Sequence, residues 1–550
     1  MEKRAILAAV LIFGLLLVYQ VLLAPSPKPP PGPEPPPQPK APPAQETPSP
    51  PPPKPVPARP TTAHVALVEA PLFRARLSSQ GGELLEWVLR YRGEKPMIVQ
   101  DAIGSQGLRL QRRGVGGESP NVEFSPEQTV LGPDHPRGAV SIVGQDTYGI
   151  RVVETLRLRA DDFHVEVHIK LENRHSVSQT VEVLFPWSTW VKWPSGRVEE
   201  FQGQRPTRVV SFGPDGVHRV DLEKATEGST DGQWIGLESE WYIAALVSQT
   251  PGVKLVTSKD QNGVIGIGLR ANPPPLEPGQ AWEGRALVYI GPKEYDRLRA
   301  VGVGLEQAIH FGALLYLPFL RMEWLAVPIL WLMNFVYHYI PNYGVAIIIL
   351  TVLSKILFYP LTLKSMASMK GMQAIQPQVN AIRSKYKGDN QRIQRETLEL
   401  YRKHKINPMG GCLPMVIQIP IFYALYLVFS LAVELQNAAF LCFGKVFGVA
   451  LWICDLAQQD PTYVLPILMG ISMFVQQKMT PTVGDPRQAK IMLLMPAVFT
   501  FMFLNLPSGL VLYWFVSNVL QIAQQYYLER KWRPAGGGSG GRPAGKEKQP

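Results

Sequence analysis

Hydrophobic and polar positions are unevenly arranged along the chain. Ala5 to Leu23 is one uncharged apolar run of nineteen residues. Residues 61–295 instead alternate. Phe163, Val165, Val167, Ile169 and Leu171 interleave with His164, Glu166, His168 and Lys170, the period of a half-buried strand. Val181–Leu184 and Ala286–Ile290 predict further strands. Turn signals separate them at Gln80-Gly81-Gly82, Gly213-Pro214-Asp215-Gly216 and Asn272-Pro273-Pro274-Pro275. From residue 343 the apolar runs lengthen again, at 343–363, 411–433, 462–479, 491–506 and 509–528. Leu325 to Ile340 is apolar but interrupted by Asn334 and His338 and flanked by Trp324, Trp331, Tyr337 and Tyr339. That pattern predicts a helix lying in a membrane interface.

The pattern gives an organisation. Residues 1–24 are a transmembrane anchor: nineteen helical residues span about 28 Å, close to the hydrocarbon thickness. Leu23-Ala24-Pro25 offers no cleavage site of the usual kind. Residues 25–60 hold 20 prolines in 36 positions, a polyproline II spacer. Its reach is roughly 110 Å. Residues 61–295 are a large β-sandwich of two sheets curled together. A connecting segment and the interfacial helix fill 296–342. A helical membrane core occupies 343–530, and a basic, Gly-rich tail ends the chain at 531–550.

Charge then orients the membrane core. The net charge of +11 is concentrated in particular loops. Between 364 and 405 ten Lys and Arg face only Asp389, Glu396 and Glu399. The 434–461 loop has Lys445 against Glu434, Asp455 and Asp460. Positive loops stay in the cytoplasm. The basic hairpin 364–410, the 480–490 loop and both termini are therefore expected inside, and the β-domain and the 434–461 loop outside. The basic excess thus answers to membrane orientation before nucleic acid, and no DNA binding is expected. Within the hairpin, Met366, Met369, Met372, Ile375, Val379, Ile382 and Tyr386 form one helical stripe. Gly388-Asp389-Asn390 breaks it, and Ile393, Thr397, Leu400 and Tyr401 line a returning helix. The stripe serves as the hairpin's own core, or its methionines as an adaptable surface for apolar clients.

One residue violates the pattern. Lys355 lies about 15–18 Å from either end of its predicted span, where a lysine costs about 2.5–3.5 kcal/mol or more. No acid lies in the predicted spans to neutralise it. It either meets backbone carbonyls in a packed bundle or faces a wet cavity. A wet cationic cavity would draw an acidic polar segment into the membrane and lower its desolvation cost. Thr351 shares the face one turn earlier. Gln418, Ser472, Gln476, Asn505, Ser517, Asn518 and Gln521 are further polar candidates. Pro414 and Pro420 are expected to kink the following span. The run at 491–506 is short enough to thin the bilayer.

Other chemistry is sparse. Cys412, Cys442 and Cys454 make neither a disulfide framework nor a zinc pattern. Cys442 and Cys454 share one external loop, where a disulfide and two buried thiols are both open. His164 and His168 on one strand stand about 13 Å apart, too far to share a metal. Trp187, Trp190 and Trp193 would suit a sugar groove or a β-core. Gly537-x-Ser539-x-Gly541 fits a nucleophile elbow only formally, because no strand or helix surrounds it. No Walker A, HExxH or zinc spacing occurs. Neither an enzyme nor a cofactor nor a metal site is expected. A transporter or channel with an external binding domain is the alternative, and it would call for paired halves and acids inside the spans.

Four motifs in order carry a resemblance: Asn407-Pro408-x-Gly410-Gly411-Cys412-x-Pro414 with Gln418-x-Pro420-Ile421-Phe422; Leu465-Pro466-Ile467-Leu468-Met469-Gly470; Gln477-Lys478-Met479; and Phe503-x-x-x-Pro507-Ser508-Gly509-Leu510. Over roughly 300–530 the chain is similar to the Gram-negative branch of the YidC/Oxa/Alb membrane protein insertase family. The resemblance implies a six-span inner-membrane insertase and chaperone without nucleotide hydrolysis. It implies an external domain like a galactose-mutarotase β-supersandwich, without enzyme activity. It also implies partners: nascent clients, lipid, the Sec translocon, and the ribosome and signal recognition machinery at the hairpin and tail. The family's groove arginine corresponds to Lys355, which keeps the charge without the guanidinium fork. The groove threonine corresponds to Thr351, and the aromatic pair of the last span to Tyr513-Trp514, with Trp where Tyr is usual. Client-contacting positions correspond to Ile419, Pro420 and Phe422.

Overall fold

The computed structural model describes residues 64–91, 94–98, 107–112, 115–192, 205–311, 322–407, 413–446, 449–479 and 486–531. The expected anchor, the proline spacer, Trp193, most of the glycine motif at 408–412 and the tail after 531 lie outside the described residues.

Alternation builds the β-domain. The strand His164–Asn173 buries every second residue, and Phe163 and Leu171 are fully enclosed. This strand pairs antiparallel with Ile150–Arg159 on one side and Ala281–Pro292 on the other. They form the middle of a nine-stranded sheet. A six-stranded sheet runs in the order Gly228–Asp231, Lys254–Lys259, Val264–Ala271, Glu182–Trp190, Arg109–Arg112, Val115–Glu118. A five-stranded sheet completes the domain, so three sheets stand where two were expected. The short segments between 65 and 130 carry too few alternations to reveal a sheet of their own. Tight turns fall where glycine permits them: Arg208–Gly213 returns through Gly216, at φ +98°, into Gly216–Asp221. Trp187 is core rather than groove. His164 faces Asp162 at 2.9 Å and His168 faces Glu283 at 3.8 Å. Beyond residue 295 the chain keeps adding to this core through Leu298, Leu305, Ala308 and Phe311.

Ten α-helices matter here. After α1 (Tyr295–Ala300) comes α2 (Glu323–Tyr339). One side of α2 buries Ala326, Ile329, Leu330 and Met333, and the other exposes Trp324, Trp331, Phe335 and Tyr339. Helix α3 (Tyr343–Leu357) starts at Asn342, whose side chain accepts from the amides of Gly344 and Val345. The span expected over 343–363 is not one helix. It stops at Phe358, and α4 (Tyr359–Ala374) begins anew. Pro360 lacks an N–H and crowds the preceding turn, which explains the break. No single described helix is long and apolar enough to cross a membrane; the pair α3 and α4 passes that test together.

The hairpin 364–407 falls in a separate compact unit. Its first stripe is divided at Ile375, with Pro377 opening α5 (Gln376–Lys385). Asp389 then caps α6 (Asn390–Lys403) by accepting from the Arg392 amide. Ile375, Val379 and Ile393 are the buried stripe residues.

In the larger unit follow α7 (Leu413–Leu431), α8 (Val464–Met479), α9 (Pro486–Phe503) and α10 (Ser508–Lys531). Pro414 sits in the first turn of α7 and Pro420 within the helix. Helix α9 is 18 residues long: it begins five residues before the apolar run 491–506 and stops at Phe503, three residues before the run ends. Between α7 and α8 a two-stranded hairpin, Leu441–Val446 with Val449–Ile453, is closed by a Cys442–Cys454 disulfide.

Candidate functional site

The cation singled out from sequence sits among polar side chains from three helices. Lys355, on the last turn of α3, is half-buried, and its Nζ donates to Gln521 Oε1 on α10 at 3.1 Å. No acid partners it among the described residues. Beside it, the Tyr513 hydroxyl of α10 faces Ser354 of α3 and Gln418 of α7. Spacing explains the convergence. Tyr513, Ser517 and Gln521 recur every fourth residue, so they form one stripe along α10. A neighbouring stripe turns to α8, where Asn518 Nδ2 donates to Ser472 Oγ at 3.1 Å and Gln525 Nε2 to the Met479 carbonyl at 2.6 Å.

The residues singled out from sequence separate into two sets. Lys355, Gln418 and Tyr513 come together. Thr351 does not line open space: it is fully buried and its hydroxyl donates to the Ile347 carbonyl of its own helix at 2.6 Å. Ser517 and Asn518 are buried within the bundle as well. The helical wheel gave Thr351 the face of Lys355, but the longer lysine reaches past the packing that encloses the threonine. Gln521 and Ser354 complete the cluster. Gln521 was visible only as one polar residue among several, and Ser354 was not singled out.

An aromatic wall adjoins the polar cluster. Phe422 of α7 meets Trp514 edge-on with centroids 4.9 Å apart, and Trp514 also touches Phe503 at 5.2 Å. Ile419, three residues before Phe422, is 52% exposed. Phe422 is half-buried and so is Pro420. Helix α7 thus offers an apolar edge next to the polar one.

The β-domain is fastened to this bundle. Trp241 Nε1 donates to the Ser430 carbonyl near the end of α7 at 3.3 Å. Tyr242 donates its hydroxyl to Gln436 Oε1 at 2.6 Å.

Comparison with known proteins accounts for both halves of the chain. The family model described as 60Kd inner membrane protein matches residues 335–535, and that of the YidC periplasmic domain matches residues 66–332. The membrane protein insertase YidC of Syntrophus aciditrophicus is 37% identical, over 96% of this chain and 100% of its own. Among solved structures, an active YidC insertase with its first transmembrane domain resolved aligns over 86% of this chain and 94% of its own, at 21% identity and a TM-score of 0.36. A galactose mutarotase-like protein from Lactobacillus casei aligns over 41% of this chain and 99% of its own, at 12% identity and a TM-score of 0.27. Identity at this level across the full length of a relative, with both family models falling in order, leaves one assignment: the chain belongs to the YidC family of membrane protein insertases.

Proposed function

We propose that the protein inserts apolar segments of client membrane proteins into the bacterial inner membrane and shelters them while they fold, and that the polar part of a client pauses at Lys355. One observation carries this reading. The Lys355 ammonium has a neutral partner, Gln521, and no acid beside it among the described residues. Its charge is therefore not cancelled and remains available to a client carboxylate. Tyr513, Gln418 and Ser354 add hydrogen-bonding groups for a segment that has shed part of its water. Ile419 and Phe422 offer the adjoining apolar contact, so the client's helix slides toward lipid while its polar flank stays on the lysine. An ammonium is a point charge, so the contact with a carboxylate is single rather than forked.

The same proposal includes the topology: an N-terminal anchor, a proline spacer, an external β-domain, an interfacial helix, five further spans and cytoplasmic termini. The Cys442–Cys454 disulfide supports an external 434–461 loop, since such bonds persist in oxidising compartments. The basic hairpin supports docking of ribosomal or signal recognition components on the cytoplasmic side, and cooperation with the Sec translocon belongs to the same reading. Photocrosslinkers placed at 355 and 422 are expected to capture a stalled nascent chain. Capture at neither position would overturn the assignment. A Gly388→Cys variant is expected to react with an impermeant maleimide only from the cytoplasmic side, and labelling from outside would overturn the topology.

A further inference from the structure

A second concave site lies on the β-domain, far in sequence from Lys355. The outer face of the six-stranded sheet carries a cleft of about 280 Å³. Register defines it row by row. One row across the sheet holds Ser258, Gly266 and Ser188. The next holds Val256, Gly268 and Pro186. The last holds Lys254, Arg270, Leu184 and Arg109. The alternate residues Leu255, Ile267, Leu269, Val183 and Phe185 point the other way into the core.

Two glycines leave the floor bare. A Cβ on Gly266 would stand 2.4 Å from Ser258 Oγ and 3.3 Å from Ser188 Oγ, so both hydroxyls lean over that position. Ser188 is 5% exposed, and neither hydroxyl has a partner among the described residues. Cations close one end. Arg109 and Arg270 flank Leu184 from strands on either side, roughly 10 Å apart at Cα. Arg270 Nε lies 2.9 Å from Glu182 Oε1, and Lys254 stands opposite Asp231. Arg109 forms no ion pair among the described residues; it only tempers the burial that raises the Glu83 carboxyl. The remaining acid, Glu227, lies at the far end, about 13 Å from the arginine row along the strands.

We propose that this cleft binds a small polyhydroxylated carboxylate of the sugar-acid class, its carboxylate on Arg109 and Arg270 and its hydroxyls on Ser188 and Ser258. Val256, Leu184 and Pro186 give its C–H face an apolar wall. An acidic peptide fits less well. The floor belongs to interior strands whose backbone groups are already paired, so a peptide's recurring amides find no ladder to join. The site stands independently of the insertion reading, because it uses only β-domain groups.

The test is titration of the full chain in detergent with D-glucuronate, D-glucose and an acidic tetrapeptide, followed by calorimetry and saturation-transfer NMR. Glucuronate is expected to bind saturably and glucose at least tenfold more weakly. Arg109→Met, a change at a half-buried position, is expected to lower glucuronate affinity roughly tenfold or more with an unchanged melting midpoint and unchanged client insertion. Gly266→Leu is expected to abolish binding by filling the floor. Three results would overturn the proposal: no saturable glucuronate binding, wild-type affinity in Arg109→Met, or tighter binding of the peptide than of glucuronate.

Discussion

Two lysines in this protein leave bulk water, and their surroundings differ. Lys293, at the base of the β-domain, is 8% exposed and lies 3.4 Å from Glu238, which also faces Arg219 at 3.4 Å. Burial lowers the Lys293 ammonium and the Glu238 carboxylate counteracts it. Among the described residues Lys355 has only the amide oxygen of Gln521. The first charge is used to hold protein to protein. The second is solvated just enough to exist and is left with its field directed outward. Among the described residues Lys355 has no counter-ion, and the proposed anionic client segment would supply one.

Substitutions turn this contrast into measurements. The largest effect is expected at the architectural site. Glu238→Ala leaves the buried Lys293 and the half-buried Arg219 without their anion and should cost about 3–5 kcal/mol, read as denaturant sensitivity of the β-domain in the full chain. Lys355→Met should change stability by less than about 1 kcal/mol, yet Lys355→Glu at equal protein level should impair insertion of clients with acidic external tails in proteoliposomes. Comparable unfolding in Lys355→Met, or normal insertion by Lys355→Glu, would break the distinction.

A third buried charge sharpens it. Glu154 lies in an apolar pocket among Leu156, Val165, Val167 and Phe185, and burial pushes its carboxyl up from 4.5 to about 7. The folded state thus holds the proton more tightly than the unfolded chain. The associated stability is complete below pH 4.5 and is lost as pH rises through about 7, a loss of about 3 kcal/mol. Glu154→Gln should flatten β-domain stability over that window and raise it at pH 8. A smaller effect than at Glu238 or Glu154 is expected at Asn518→Ala, which forfeits the bond to Ser472 for about 1 kcal/mol and should leave the pH profile unchanged.

Periodicity made much of this legible. The alternation around Phe163–Leu171 gave a strand and its buried face, and the stripe through Ile375, Val379 and Ile393 gave the hairpin core. Lys355 announced itself by charge alone. Sequence did not give the third sheet, because its strands run only three to seven residues and show few repeats of the period. Nor did it separate Thr351 from Lys355, since a wheel records direction but not reach. The Lys355–Gln521 pair joins positions 166 residues apart, and no local pattern links them. The sugar-acid cleft was invisible for the same reason: its rows cross the sheet, while its residues are scattered over the chain.

Trp241 and Tyr242 have one more consequence. By gripping Ser430 and Gln436 they hold the C-terminal end of α7 and the turn after it, while Pro420, Phe422 and Ile419 lie two to three turns earlier in the helix. A rod clamped at one tip moves most at the other. The β-domain therefore works as a mooring for that end of α7, and whatever sway the helix has grows toward Pro420 and Ile419, the positions proposed for client contact.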